Sequence, residues 1–74
     1  MTALPVISGK QLAAVLLRAG FQQVHQVGSH RILRRDDPAC RVSIPQHSEL
    51  DRGTLHGIIK KAKISRDELM SLLK

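Results

Sequence analysis

Aromatic side chains are almost missing from this chain, which has one phenylalanine, Phe21, and no tyrosine or tryptophan. Proteins that hold unpaired nucleic-acid bases commonly do so by stacking them on aromatic rings. Stacking on Tyr or Trp is therefore excluded here. A nucleic-acid partner would have to be held mainly through its phosphate backbone.

Cysteine and long apolar runs are scarce too. Cys40 is the only cysteine, so it cannot form an internal disulfide, and we expect a buried, unreactive thiol. A lone free cysteine fits a reducing compartment, and we predict a cytoplasmic protein. No run of about twenty apolar residues could span a membrane. The stretch from Met1 to Ile7 is too short for a secretory signal and lacks a basic leader. We therefore expect no membrane partner.

The usual metal-binding patterns are missing as well. There is no Cys-x-x-Cys pair, no His-Glu-x-x-His sequence and no two histidines four residues apart, which are spacings that place ligands around zinc. The acidic residues do not cluster as magnesium sites require, and Asp36 with Asp37 is typical of a turn. We predict no metal site and no cofactor, so any catalysis would depend on histidine as acid or base.

Positive charge is what the chain has in excess. Twelve Lys and Arg residues against six Asp and Glu residues give a formal charge of +6 on 74 residues. This density favours a polyphosphate, an acidic protein surface or anionic lipid as partner. Lipid is the weakest of the three, because neither end resembles a basic amphipathic anchor with bulky aromatics. The length predicts a single domain, 1–74.

Three helices are predicted from capping residues and apolar periodicity. Ser8 with Gln11 forms a capping box before the first helix, and Gly20 stands where a left-handed C-terminal residue is expected. Ser65 with Glu68 repeats the capping box before a short third helix. The apolar stripes of the two main helices are Leu12, Val15, Leu16 and Ala19 in the first, and Leu55, Ile58, Ile59 and Ala62 in the second.

Three strands are predicted between the two main helices. They are 21–27, 30–35 and 40–44, with a turn at 36–39 and Pro45 ending the last strand or placing it at an edge. Such short connections indicate an antiparallel meander. Both main helices can bury their stripes only by packing on one face of this sheet, so the predicted fold class is α+β.

His30 is the strongest candidate for chemistry. Gly28-Ser29 precedes it as a tight turn that presents one imidazole at the mouth of a hairpin, and histidine exchanges protons near neutral pH. RNA carries its own nucleophile, the 2′-hydroxyl. A protein that cleaves RNA therefore needs little more than a proton-transfer group and cations at the phosphate. Arg31, Arg34, Arg35 and Arg41 surround the hairpin, although a solvated hairpin kept soluble by its charge explains the same residues.

The other three histidines have weaker claims. His56 falls off the apolar stripe of the second helix and is expected to be solvated. His25 lies in the first strand with no evident task. His47 follows Pro45, where the chain turns towards the second helix, and could either bond to backbone or assist the site.

Four segments, at matching spacing, together resemble the HicA (YcfA-like) toxin family. They are Gly28-Ser29-His30, Ile44-Pro45-x-His47, Arg52-Gly53-Thr54-Leu55-x-x-Ile58 and Ile64-Ser65-Arg66-Asp67-Glu68-Leu69. The resemblance implies a double-stranded-RNA-binding-domain-like fold of order α-β-β-β-α, here with a short extra C-terminal helix. It also implies an mRNA interferase, the toxin of a type II toxin–antitoxin pair, with the catalytic histidine at His30 and a HicB-like antitoxin as partner.

One departure from the family pattern concerns the second strand. The family commonly has an aromatic residue or two there, whereas this chain has Arg31-Ile32-Leu33. The difference bears on base contacts and sequence preference more than on catalysis.

The leading hypothesis is a metal-independent endoribonuclease toxin that cleaves mRNA. His30 is the predicted catalytic residue, and His47 and Ser29 are candidate accessory residues. The residues predicted to bind RNA are Gly28, Arg31, Arg34, Arg35, Lys60 and Lys61. Two rivals remain open: a non-catalytic double-stranded-RNA-binding module of the same fold, and a protein that docks on an acidic partner without touching RNA. The sequence also leaves open a homodimer or a toxin–antitoxin hetero-oligomer.

Overall fold

The computed structural model describes residues 4–37 and 39–73, which form three helices and one three-stranded sheet. The elements are α1 (Gly9–Arg18), β1 (Gln22–Val27), β2 (His30–Asp36), β3 (Ala39–Pro45), α2 (Arg52–Ala62) and α3 (Arg66–Leu72). This order confirms the predicted double-stranded-RNA-binding-domain-like α+β fold, including the short third helix. None of the helices in the described part of the chain is long and apolar enough to cross a bilayer.

Local capping fixes where each helix begins. Ser8 and Ser65 both form the predicted capping boxes, with side-chain and backbone bonds to Gln11 and Glu68 respectively. The N-cap of α2 is Asp51, whose carboxylate accepts the amide of Thr54. These side chains satisfy amides that have no partner within the helix, so the chain leaves its loops at defined points.

The sheet is antiparallel throughout, with β2 in the middle. β1 and β2 are joined by Gly28 and Ser29 alone, and Val27 pairs with His30 across this turn. Gly28 has φ 57° while Ser29 does not have positive φ, which is the φ pattern of a type II′ turn with glycine in first position. This turn matches the twist of the strands and sets the register of the hairpin.

A β-bulge interrupts β1 at Val24. The register shifts between Gln23, which pairs with Leu33, and His25, which pairs with Ile32. The extra residue leaves Val24 41% exposed. Because of this shift, Gln23 lies on the same face as buried Leu33, while His25 lies on the opposite face.

The helices cover one face of the sheet only. Leu33, Val42 and Ile44 point into the core with the apolar stripes of α1 and α2. We call this side the helix-covered face, and it also carries Arg31, Arg35 and Cys40. The other side, which we call the open face, carries Gln22, His25 and Val27 from β1, His30, Ile32 and Arg34 from β2, and Arg41 and Ser43 from β3.

The observed strand bounds differ from the predicted ones by one residue. β1 begins at Gln22, because Phe21 is a core residue whose amide bonds to the carbonyl of Leu16 at the end of α1. β2 and β3 each extend one residue into the predicted turn 36–39, where Asp36 pairs with Ala39. Pro45 is the last residue of an edge strand, as its missing N–H requires.

Candidate functional site

His30 is the first residue of β2 and projects from the open face. Its side chain is exposed, and its direct neighbours across the sheet are Val27 on one side and Pro45 on the other. The two-residue turn and the central position of β2 hold the backbone of His30 on both sides. The imidazole is therefore placed at one end of the sheet, in solvent, by a rigid part of the fold.

The turn itself is bonded to the end of β3. The amide of Gln46 donates to the carbonyl of Ser29 at 2.7 Å, which continues the β2–β3 ladder one residue beyond Pro45. Gly28, Ser29 and His30 are thus anchored to two different strands. The exposed Ser29 side chain lies one residue from the imidazole, where it can contact the same ligand.

The beginning of α1 docks on this same end of the sheet, through Gly9. The amide of Gly9 donates to the carbonyl of His47 at 2.9 Å. A Cβ at position 9 would lie 2.1 Å from the carbonyl oxygen of Pro45, so only glycine permits this approach. The contact places the exposed His47 at the His30 end of the sheet. Sequence reasoning missed Gly9, because a glycine after a serine cap has no signature of tertiary contact.

Two arginines face each other on the open face. Arg34 in β2 is directly opposite Arg41 in β3, and like charges in such a pair destabilise a sheet. Arg34 has one ion pair, 3.5 Å from its Nε to Asp36 Oδ1, with the two side chains 54% and 85% exposed. An exposed pair of this kind contributes little to stability. The arrangement is costly for the fold and suited to binding an anion.

Arg31 lies on the helix-covered face, in the central strand one residue after His30. Its Nε donates to Gln23 Oε1 at 2.7 Å, and its Nη2 donates to the same oxygen. The bulge at Val24 is what places Gln23 on this face. Arg31 is half-buried, and its guanidinium is directed across β1 rather than towards the imidazole of His30.

Arg35, which the sequence predicts to bind RNA, lies on the helix-covered face in contact with both main helices. Its Nη1 and Nη2 donate to the carbonyls of Ala19 and Ala62 at 3.2 and 2.9 Å. Its guanidinium carbon lies 4.7 Å from the ring centroid of Phe21. Those carbonyls belong to the C-terminal ends of α1 and α2, where a positive charge is favourable. Arg35 therefore joins both helices to the sheet.

Lys60 and Lys61 lie at the other end of the molecule from His30. They are exposed in the last turn of α2. The next residue is Ala62, whose carbonyl accepts a hydrogen bond from the Arg35 guanidinium. Arg35 is five residues along β2 from His30, which is about 17 Å in a strand. The structure does not bring these lysines to the imidazole, and in part they complement the dipole of α2.

His25 is the residue of the open face that sequence reasoning left without a task. It is exposed, and it lies on the same side of the sheet as His30. Within the described part of the chain, no group of three or more His, Cys, Asp or Glu residues could hold a metal ion. Cys40 is half-buried, with its sulfur 3.8 Å from the carbonyl oxygen of Ala62.

A family model described as the HicA toxin of bacterial toxin–antitoxin systems matches residues 9–64. The chain belongs to the HicA toxin family. The matched segment begins at Gly9 and contains the whole sheet, the Gly28–His30 turn, His47 and all of α2. Among curated proteins, none matches the chain significantly. Membership of the HicA family assigns the chain the role of a toxin in a toxin–antitoxin pair.

Proposed function

We propose that this HicA-family toxin is an endoribonuclease that cleaves mRNA without a metal ion, with His30 as a general acid/base. The observation that carries the proposal is the placement of His30, exposed on the open face beside a turn that is bonded to two strands. A proton-transfer group is effective when the fold holds it in position and RNA can reach it from solvent.

The chemistry begins with the 2′-hydroxyl of the RNA. Its oxygen attacks the adjacent phosphorus and loses its proton to a base, while the bond from phosphorus to the 5′-oxygen breaks and that oxygen gains a proton. The products are a 2′,3′-cyclic phosphate and a 5′-hydroxyl. His30 carries one of these proton transfers, and cations offset the charge that develops on the phosphate.

Arg34 and Arg41 supply positive charge on the open face for binding the RNA backbone. They lie four strand positions from the level of His30, about 13 Å along the sheet, so they hold the RNA backbone on one side of the cut rather than the reacting phosphate itself. Gly28 and Ser29 shape the turn and contact the backbone next to His30. Lys60 and Lys61, at the far end, raise the attraction for RNA over a longer range.

The expected partner in the cytoplasm is a HicB-like antitoxin that blocks the open face. The charge of that face favours an acidic surface on the antitoxin, because Arg34 and Arg41 repel each other when left uncovered. Covering His30 and this arginine pair together would prevent RNA from binding and from reacting.

The test compares wild type, His30→Ala and a matched control, His56→Ala, for RNA cleavage in EDTA and for growth arrest on expression. His56 is an exposed histidine on α2, so its removal deletes an imidazole without changing the site. We expect His30→Ala to lose at least about 100-fold in cleavage rate and to lose growth arrest, with no change in thermal unfolding. Cleavage and arrest that survive His30→Ala would remove this residue from the mechanism.

The second candidate function is a non-catalytic double-stranded-RNA-binding module. The cross-strand pair of Arg34 and Arg41 favours it, since that pair needs only a phosphate backbone to bind. Intact RNA at high protein concentration, together with salt-sensitive binding, would support this module and reject the nuclease.

A further inference from the structure

His25 and His30 form a diagonal pair on the open face. Val27 pairs with His30 across the turn, and two residues earlier His25 pairs with Ile32. Both histidines therefore point to the same side of the sheet. Diagonal neighbours in an antiparallel pair lie about 7–8 Å apart, with their Cβ atoms somewhat closer. The other diagonal of this four-residue group is formed by Val27, which is exposed and pairs with His30, and Ile32, which is half-buried and pairs with His25.

The hairpin turn sets the position of His25, which is the last residue of regular pairing before the bulge. The Gly28-Ser29 turn fixes the register as far as His25, and the bulged Val24 comes immediately before it. Bulges redirect neighbouring side chains and are frequent next to active sites. Here the bulge turns Gln23 towards Arg31 and ends the regular alternation at His25.

Few charged groups share this surface with the two histidines. On the open face these are Arg34 and Asp36 of β2 and Arg41 of β3, all nearer the opposite end of the sheet. His47 lies beyond Pro45, at the His30 end. The helices pack on the other side of the sheet, so they bring no titratable group onto the open face of the described residues.

We propose that His25 is the second acid/base group of the cleavage reaction, working with His30 on one phosphate. This inference rests on the proposed nuclease function. RNA cleavage requires two proton transfers, one from the 2′-oxygen and one to the 5′-oxygen. A neutral and a protonated imidazole on one face can perform both in the same step. The sequence pattern alone favours His47 for this task.

The test is the pH dependence of single-turnover cleavage in EDTA, from about pH 5 to pH 9, where imidazoles titrate. The variants are His25→Gln and His30→Gln, with His47→Gln as the rival and His56→Gln as the control. His25→Asn is made in parallel, and thermal unfolding checks that each variant folds. Binding is measured separately with 2′-O-methyl RNA of the same sequence, which lacks the nucleophile.

We expect a bell-shaped profile for wild type and for His56→Gln. His25→Gln and His25→Asn should each lose about 100-fold in rate and one limb of the bell, with binding to the 2′-O-methyl RNA unchanged within about twofold. A general RNA contact at His25 would instead weaken binding and leave both limbs in place, and that result would overturn the proposal.

Two further outcomes separate this inference from the function on which it rests. If wild type cleaves RNA and His30→Gln does not, while His25→Gln keeps its rate and both limbs, the inference is wrong and the nuclease stands. Loss of the limb in His47→Gln rather than in His25→Gln would assign the task to His47. Absence of cleavage by wild type would overturn both proposals.

Discussion

Arg34 and Arg35 are neighbours in β2 with the same side chain, but they lie on opposite faces of the sheet and have different roles. Arg35 lies on the helix-covered face, where it bonds to the ends of both main helices and stacks on Phe21. Arg34 lies on the open face opposite Arg41, with a weak exposed ion pair to Asp36. One residue of strand alternation separates a cation that holds the fold together from a cation that can hold a ligand.

The same division holds along the whole strand. On the helix-covered face, Arg31, Leu33 and Arg35 are buried or bonded to the protein. On the open face, His30 and Arg34 are exposed. We infer that substitutions on the helix-covered face lower stability and that substitutions on the open face lower activity.

Arg35→Ala should be the most destabilising of these substitutions. It removes two charge-assisted hydrogen bonds at helix ends and the contact with Phe21, so we expect the free energy of unfolding to fall by about 2–4 kcal/mol. The matched control, Arg34→Ala, should change it by less than about 0.5 kcal/mol. Urea unfolding of the two variants measures the difference. Equal losses from both would show that the two faces are not distinct.

Gly9→Ala should be the next largest effect. A methyl group there overlaps the carbonyl of Pro45 at 2.1 Å, and relief of such overlap costs about 1–3 kcal/mol. Gly57→Ala is the control, because a Cβ at position 57 meets nothing within 4 Å. It should raise the free energy of unfolding by up to about 1 kcal/mol, as alanine does in an exposed helix interior.

Gly9→Ala should also reduce RNA cleavage at temperatures where the variant is fully folded. The overlap displaces the Pro45–His47 segment, which supports the turn beside His30 through Ser29. An unchanged cleavage rate in a destabilised variant would show that the docking of α1 supports the fold but not the site.

Arg34→Gln and Arg41→Gln should affect binding rather than stability. Each removes a cation from the open face, so the slope of log affinity against log salt should become shallower by about 0.7 for each phosphate of single-stranded RNA that is no longer neutralised. Stability should stay constant or rise by a few tenths of a kcal/mol, because a like-charge pair is relieved. Lys61→Gln, at the far end, is the control and should change the slope less. Equal slopes for all three variants would indicate a diffuse charge effect.

The smallest expected effect is the pH dependence of the stability that the Asp51 cap gives to α2. The Thr54 hydroxyl donates to its carboxylate at 2.6 Å and the Thr54 amide donates at 3.1 Å, which lowers the pKa of Asp51 below its ordinary value of 3.8. A carboxylate whose pKa is lowered by folding stabilises the fold at a pH above its unfolded-state pKa. This contribution is lost as the pH falls through the folded-state pKa. The stability difference between wild type and Asp51→Ala should therefore be constant near neutrality and shrink in acid.

Ser8→Ala is the matched control for that experiment. It removes the cap of α1, where both capping side chains, Ser8 and Gln11, are uncharged. Its effect on stability should therefore not vary with pH. A parallel decline of both differences in acid would mean that the carboxylate of Asp51 is not their source.

Local features of this fold could be predicted from the sequence, and contacts between distant segments could not. The capping boxes at Ser8 and Ser65 depend on residues three apart, so a short window contains all the information. Strand alternation likewise places Arg34 and Arg35 on opposite faces. The role of Arg35 needed the ends of both helices, 16 and 27 residues away. The task proposed for His25 needed the register of a hairpin with a bulge.

The chemical ends of the cleaved RNA test the central claim most directly. Purified toxin is incubated with RNA in EDTA, and the termini of the first products are determined. If His30 acts on the 2′-hydroxyl, the upstream fragment ends in a 2′,3′-cyclic phosphate and the downstream fragment begins with a 5′-hydroxyl, and neither forms with His30→Ala. Products with a 5′-phosphate and a 3′-hydroxyl would contradict the account, because they require water rather than the ribose to attack phosphorus.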